Sequence, residues 1–125
     1  MEKEKIDFED YIFNLIIDEE LTKGRIDGEL HRALKEQHEQ ADITYKYTQV
    51  GFFFNYSVKD AIRIQDKTKR ILGGIIFKVI DSPDKLIEVI MFICDGAIGC
   101  IEGHAYGDYI EEGYFNRDKL ERVFI

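Results

Sequence analysis

The sequence has one proline, no tryptophan and two cysteines among its 125 residues. A chain of this length buries roughly two-thirds of its extended surface on folding, so no disulfide bond is needed to stabilise it. Its longest apolar run, Val89 to Cys94, is far shorter than the roughly 20 residues of a membrane-spanning helix. The start, MEKEKIDFEDY, lacks the apolar stretch of a secretory signal. These absences predict a cytoplasmic protein with no membrane partner.

Charge of one sign is in excess, with 25 Asp and Glu against 17 Lys and Arg and a net charge of −8. Such a surface repels phosphate backbones and attracts basic partners, so nucleic-acid binding is not expected. With 45% hydrophobic and 13% aromatic residues, the chain is too rich in core-forming side chains to be disordered. We expect residues 1–125 to form a single α+β domain.

The segment from Leu86 to Tyr106 predicts a β-hairpin around an Asp95-Gly96 turn, because this pair tolerates positive φ. A two-residue loop pairs Cys94 with Ala97 and Ile90 with Ile101. Both faces are then apolar almost to the end, which indicates cover on both sides by helices, another sheet or a second copy of the chain. The same register separates Cys94 and Cys100 onto opposite faces, so reduced thiols are expected.

Two helices are predicted before the sheet, the first over residues 7–23 with Asp7 as its N-cap and the second over residues 29–40 with Asp27 as its N-cap. The acidic cluster at residues 18–20 lies near the negative end of the first helix, which is locally unfavourable. The fold class is therefore α+β, with the N-terminal helix or helices packed on a mainly antiparallel sheet of four to five strands.

The remaining strands follow from alternation of polar and apolar residues. Residues 43–58 change phase near Gly51, which indicates two strands joined by a tight turn or, as we favour, one strand with a bulge. A strand over residues 75–80 follows Gly73 and Gly74, and residues 81–84 form a turn containing the only proline. Asn116 can cap a last helical turn, and residues 121–125 add an edge strand or pack on the core.

Most candidate sites in this sequence favour a structural interpretation. His31 and His38 share a helix face, but a third ligand at suitable spacing is missing, so we interpret them as surface residues and expect no metal or cofactor. The pair Gly73-Gly74 precedes a strand, so it does not form a phosphate loop. Neither serine is in a nucleophile-elbow sequence, and apolar surroundings would raise the pKa of either thiol. No catalytic residue is assigned.

Three short motifs carry a resemblance: TQVGFF at residues 48–53, Gly73-Gly74, and a hairpin with DG at residues 95–96 followed by EGHAYGD at residues 102–108. They resemble a loose group of small bacterial proteins with a TGVGFF strand, a GG strand and a hairpin ending in DG…LEGYTYGD. The chain departs from this pattern at Ile101, at His104-Ala105 and in lacking tryptophan. Some members are similar to immunity proteins against polymorphic or contact-delivered toxins, so the resemblance implies a small α+β domain and hints at immunity.

The sequence therefore favours a non-enzymatic immunity protein that binds a cognate toxin domain, such as a basic nuclease, through an acidic and aromatic surface. The candidate contacts lie where the chain is expected to leave the sheet as a loop, from the end of the hairpin segment onward: Glu102, His104, Tyr106, Asp108, Tyr109, Glu111 and Glu112. The acidic cluster at residues 18–20 is a second choice. Two alternatives stay open, namely a small enzyme or ligand-binding module using Glu102, His104 and Asp108, and a homodimeric adaptor joined through the apolar sheet.

Overall fold

A computed structural model describes the backbone of residues 2–124 and the side chains of residues 3–124. Two α-helices precede six strands that form one antiparallel sheet in the order β1-β2-β5-β4-β3-β6. The elements are α1 (Glu2–Thr22), α2 (Gly28–Gln40), β1 (Asp42–Thr48), β2 (Gly51–Ser57), β3 (Arg70–Val79), β4 (Ser82–Cys94), β5 (Ala97–Tyr106) and β6 (Leu120–Val123). The α+β class is confirmed, but the sheet has six strands rather than four to five.

Both helices pack on one face of this sheet, which we call the inner face. Phe8 of α1 makes edge-to-face contacts with Phe52 and Phe54 of β2, at ring-centroid distances of 5.3 and 6.1 Å. Every second residue of β4 from Ile87 to Ile93 is buried there. The alternation follows from the period of two along a strand, and it places the intervening side chains on the opposite face.

The first helix begins earlier than predicted, at Glu2 rather than after Asp7. The second agrees within one residue, and Asp27 caps it as predicted by accepting from the Leu30 amide at 2.8 Å. Gly73 has a positive φ of 102° at an irregularity in the β3–β4 pairing, so β3 continues through the glycines instead of starting after them. The polar segment 59–69 before it contains only a short 3-10 turn, Asp60–Ile62.

Residues 43–58 form two strands, so the favoured bulge at Gly51 was wrong and the tight-turn alternative was right. Thr48 pairs directly with Gly51 across a loop of Gln49 and Val50. The Thr48 hydroxyl accepts from the Val50 amide at 3.2 Å and donates to the Gly51 carbonyl at 3.3 Å. The turn is stabilised by a threonine side chain rather than by an Asn-Gly type pair, which is why the dipeptide pattern did not reveal it.

The central hairpin has the predicted turn but a different register beyond it. Asp95 and Gly96 have φ values of 53° and 75°, and Cys94 pairs with Ala97. A shift between Phe92 and Ile93 then pairs Ile90 with Glu102 instead of Ile101. An extra residue in one strand moves every later side chain of that strand to the opposite face of the sheet. Ile101 therefore lies on the inner face, and Cys94 and Cys100 both lie on the outer face as free thiols, not on opposite faces.

Two further expectations about the chain after β3 were wrong, and a third is confirmed. The turn before β4 is formed by Ile80 and Asp81, and Pro83 lies within the strand. Asn116 accepts from the Asp118 amide at 2.8 Å in a turn, and no helix follows it within residues 117–124. The predicted edge strand is present as β6, whereas Phe124 is 81% exposed and Ile125 lies outside the described residues.

Each carboxylate in the acidic cluster of α1 has a partner, so its unfavourable position is compensated. Asp18 lies 2.8 Å from His31, and Glu19 forms a two-pronged ion pair with Arg122 of β6. Glu20, which is 2% exposed, accepts from Arg25 and from the Gly73 amide, the latter at 2.6 Å. The cluster holds α1 to the sheet, which removes much of the reason to consider it a partner-binding surface.

No helix within residues 2–124 is long and apolar enough to cross a membrane.

Candidate partner-binding surface

The sheet face turned away from the helices is not covered by any described element, and we call it the outer face. Cover on both sides of the hairpin by the chain's own helices or by a second sheet was therefore a wrong expectation. In the four strands between the two edges, β2, β5, β4 and β3, this face presents Phe53, Asn55, Cys100, Glu102, His104, Tyr106, Leu86, Glu88, Ile90, Phe92, Cys94, Ile71, Ile76 and Lys78.

Three of the predicted contact residues lie on this face, because β5 extends to Tyr106 instead of ending before Glu102. Glu102 lies directly between Phe53 of β2 and Ile90 of β4. His104 lies opposite Glu88, and its Nε2 is 3.4 Å from Glu102 Oε1. Tyr106 donates from its hydroxyl to Glu88 at 2.6 Å, and this hydrogen bond raises the pKa of the phenol.

The other four predicted residues lie in the segment that follows β5, which we call the exit loop (residues 107–112). Asp108, Tyr109, Glu111 and Glu112 are all exposed, Tyr109 to 62% of its surface. The loop is anchored between them by Ile110, which is fully buried and donates its amide to the Gln49 carbonyl at 2.9 Å. The anchor holds the exposed side chains in place over the β1–β2 turn.

Charges in the exit loop are mostly without a cationic partner among the described side chains. Glu112 lies 3.7 Å from Lys5 of α1, and Asp108 accepts from the Tyr109 amide at 2.8 Å. The loop thus presents carboxylates beside an exposed tyrosine, as the sequence predicted. What the sequence did not predict is that these residues and the β5 residues occupy two adjoining structural settings, a loop and a sheet face.

Comparison with known proteins identifies no relative: no family model matches the chain, and neither a curated protein nor a solved structure matches it. The resemblance to small bacterial immunity-like proteins therefore stays a prediction.

The Cys100 thiol on the outer face is poorly suited to nucleophilic chemistry. The pKa of the Cys100 thiol is raised to about 11, mainly by partial burial. The charge of the nearby Glu102 and the hydrogen bond of the thiol to it at 3.6 Å raise the pKa further. A thiol with this pKa is almost entirely protonated at neutral pH, and the thiolate is the nucleophile. The sequence predicted this direction for both thiols from the apolar surroundings of their strands, but the expected burial was wrong for Cys94, which is exposed.

His38 is a structural rather than a surface residue, so that part of its interpretation was wrong, whereas His31 pairs with the exposed Asp18. Glu9 is 2% exposed, and its Oε2 lies 2.7 Å from His38 Nε2 and 2.6 Å from the Tyr56 hydroxyl that donates to it. Phe13 stacks on the His38 ring at 3.9 Å. This network joins α1, α2 and β2. Over the described side chains, no group of three or more His, Cys, Asp or Glu is placed to hold a metal ion.

A cleft of about 640 Å³ lies away from the predicted site residues and is lined by Gly24–Asp27, Glu29, Leu30, Ile64, Asp66 and Arg70. Its two guanidinium groups are paired with carboxylates, Arg25 with Glu20 at 2.5 Å and Arg70 with Asp66 at 3.4 Å. The cleft therefore offers little free positive charge for an anionic ligand.

The outer-face residues Phe53, Glu88, Ile90 and Phe92 were not assigned to a binding site from the sequence. Their apolar pattern was visible, but it was interpreted as a sign of burial on both sides. Only the positions of the two helices, both on the inner face, show that these side chains are left without cover.

Proposed function

We propose that the protein is a non-enzymatic binding protein, specifically an immunity protein that neutralises a basic toxin domain. The observation that carries this proposal is the pairing of exposed tyrosines with carboxylates on a chain of net charge −8: Tyr106 is 50% and Tyr109 62% exposed. Tyrosine is a frequent anchor at protein interfaces, since it contributes a large contact area and a polar tip.

Charge supports the choice of partner. Nucleases that act on polyanionic substrates have basic surfaces, and an acidic inhibitor accelerates association with such a surface through long-range attraction. The exit loop is suited to this role because Ile110 fixes its backbone while Asp108, Tyr109 and Glu111 stay accessible. A fixed loop loses less conformational freedom on binding than a flexible one.

The experiment is a growth assay in which the reading frame beside this gene is induced with and without the protein. We expect toxicity that is relieved only when the protein is present, together with a stable complex on co-purification. A harmless neighbour that does not bind the protein would contradict the proposal.

The interface is tested with the double variant Asp108→Lys/Glu111→Lys, which leaves the Glu112–Lys5 pair intact. We expect a slower association rate, a weaker dependence of that rate on salt, and at least about tenfold weaker binding. The matched control is Glu36→Lys/Glu39→Lys, which makes the same charge change at exposed positions of α2. Equal effects of the two variants would show that net charge, and not the exit loop, is responsible.

A further inference from the structure

We propose that the outer face is the core of the partner interface, and that it takes a partner surface in which apolar side chains are flanked by guanidinium or ammonium groups. The inference rests on the proposed binding function and deepens it by naming the surface and the chemistry of its partner.

The apolar part of the surface is continuous across neighbouring strands. Phe53 of β2, Ile90 and Phe92 of β4, and Ile76 of β3 are each only partly buried, and Ile71 of β3 is 67% exposed. Contiguous apolar surface that the monomer leaves uncovered is typical of protein interaction sites, whereas isolated exposed apolar residues are ordinary.

Two carboxylates are embedded in this apolar surface. Glu102 pairs across the strands with both Phe53 and Ile90, and Glu88 lies opposite His104. Their described partners are His104 at 3.4 Å and the Cys100 thiol at 3.6 Å from Glu102, and the neutral Tyr106 hydroxyl at 2.6 Å from Glu88. Neither lysine on this face forms an ion pair with them among the described side chains: Lys78 pairs with Glu121 at 3.0 Å, and Lys46 of the edge strand β1 lies opposite Phe53.

The charges on this face indicate which of two partners, a second copy of the chain or a basic protein, binds there. A second copy bound by a two-fold axis would bring the same patch, with its own Glu88 and Glu102, against this one, and both chains carry a net charge of −8. A partner with arginine or lysine beside apolar side chains would instead pair with Glu88 and Glu102 as they lose water. The observations therefore favour a basic partner over self-association.

The test uses the isolated protein and three small probes with the same apolar body: phenylbutylguanidinium, phenylbutanol and phenylbutyrate. Each is titrated into 15N-labelled protein, and amide shifts are mapped by NMR. We expect saturable shifts on β2, β4 and β5, with the cation bound about fivefold more tightly than the alcohol and the anion bound most weakly. The variant Glu88→Gln/Glu102→Gln should abolish the cation's preference while leaving alcohol binding unchanged.

Several results would overturn the inference: equal affinity for the three probes, shifts confined to the exit loop, or no saturable shift on the outer face. Sedimentation supplies a further check, because a concentration-dependent dimer that Ile90→Lys dissociates would assign this face to a second copy. The probes are independent of the growth assay. Failure to relieve toxicity would reject the immunity function alone, and failure of the cation preference would reject the surface alone.

Discussion

Two tyrosines in neighbouring strands differ in whether their buried hydroxyl has a hydrogen-bond partner, which determines its effect on stability. The Tyr56 hydroxyl donates to the buried Glu9 carboxylate at 2.6 Å. The Tyr47 hydroxyl is also buried but has no hydrogen-bond partner among the described residues, although its ring packs on Phe52, Phe54 and Phe115. Burial raises the pKa of both phenols. An unpaired buried hydroxyl costs about 1–3 kcal/mol, whereas a paired one stabilises the fold.

Removing each hydroxyl should therefore have opposite effects. We expect Tyr47→Phe to raise the free energy of unfolding by about 1 kcal/mol, because the aromatic contacts stay and an unpaired polar group is lost. Tyr56→Phe should lower it by about 1–3 kcal/mol, since the Glu9 carboxylate loses a donor. Urea denaturation of both variants measures the difference. A loss of stability in Tyr47→Phe as large as in Tyr56→Phe would show that the Tyr47 hydroxyl is hydrogen-bonded in solution.

At the scale of elements, the side chain of Gln37 connects α2 to the central hairpin. It is fully buried, its Nε2 donates to the carbonyls of Ile62 and Gly96 at 3.0 and 2.9 Å, and its Oε1 accepts from the Ile98 amide at 3.0 Å. These backbone groups lie at or beside the Asp95-Gly96 turn or in the segment before β3. The Gln37 side chain thus supplies hydrogen-bond partners to backbone groups near the hairpin turn.

We expect Gln37→Leu to lower the free energy of unfolding by about 2–4 kcal/mol, because backbone groups of Ile62 and Ile98 lose their partners in a buried setting. Gln40→Leu is the matched control, since Gln40 is exposed near the end of the same helix. It should change stability by less than about 0.5 kcal/mol. Chemical denaturation that finds the two variants equally stable would show that the Gln37 hydrogen bonds contribute little.

The same elements show what could be predicted from the sequence. The Asp95-Gly96 turn and the Asp27 cap were predictable because each depends on residues adjacent in the chain. The shift at Phe92 and the pairing of Glu9 with His38 were not, since they depend on packing between distant segments. The same limit applies to the candidate site: composition revealed its acidic and aromatic character, but its division between the outer face and the exit loop depends on where β5 ends.

At the scale of the whole molecule, an ion pair joins the two ends of the chain. Arg122 of β6 forms a two-pronged pair with Glu19 of α1, across 103 residues of sequence. Hydrogen bonding to Arg122 lowers the pKa of the Glu19 carboxyl below its ordinary value of 4.5, against an opposing effect of burial, with Lys23 contributing in the same direction as Arg122. The first helix and the last strand are therefore coupled through a group that titrates in acid.

This pair predicts a pH-dependent loss of stability in Arg122→Gln. A carboxyl whose pKa is lower in the folded than in the unfolded state stabilises the fold above the unfolded pKa, and this contribution disappears as pH falls through the folded pKa. We therefore expect the variant to be about 1–2 kcal/mol less stable than the original protein at pH 7, with the difference shrinking below pH 4.5.

Lys78→Gln is the control, because its pair with Glu121 is more exposed and should contribute little at any pH. Denaturation curves between pH 3 and pH 7 (~0.5 pH steps) measure both differences. A deficit that stays constant down to the lowest pH would show that Arg122 stabilises the fold through its packing on the helix and not through the charge of Glu19.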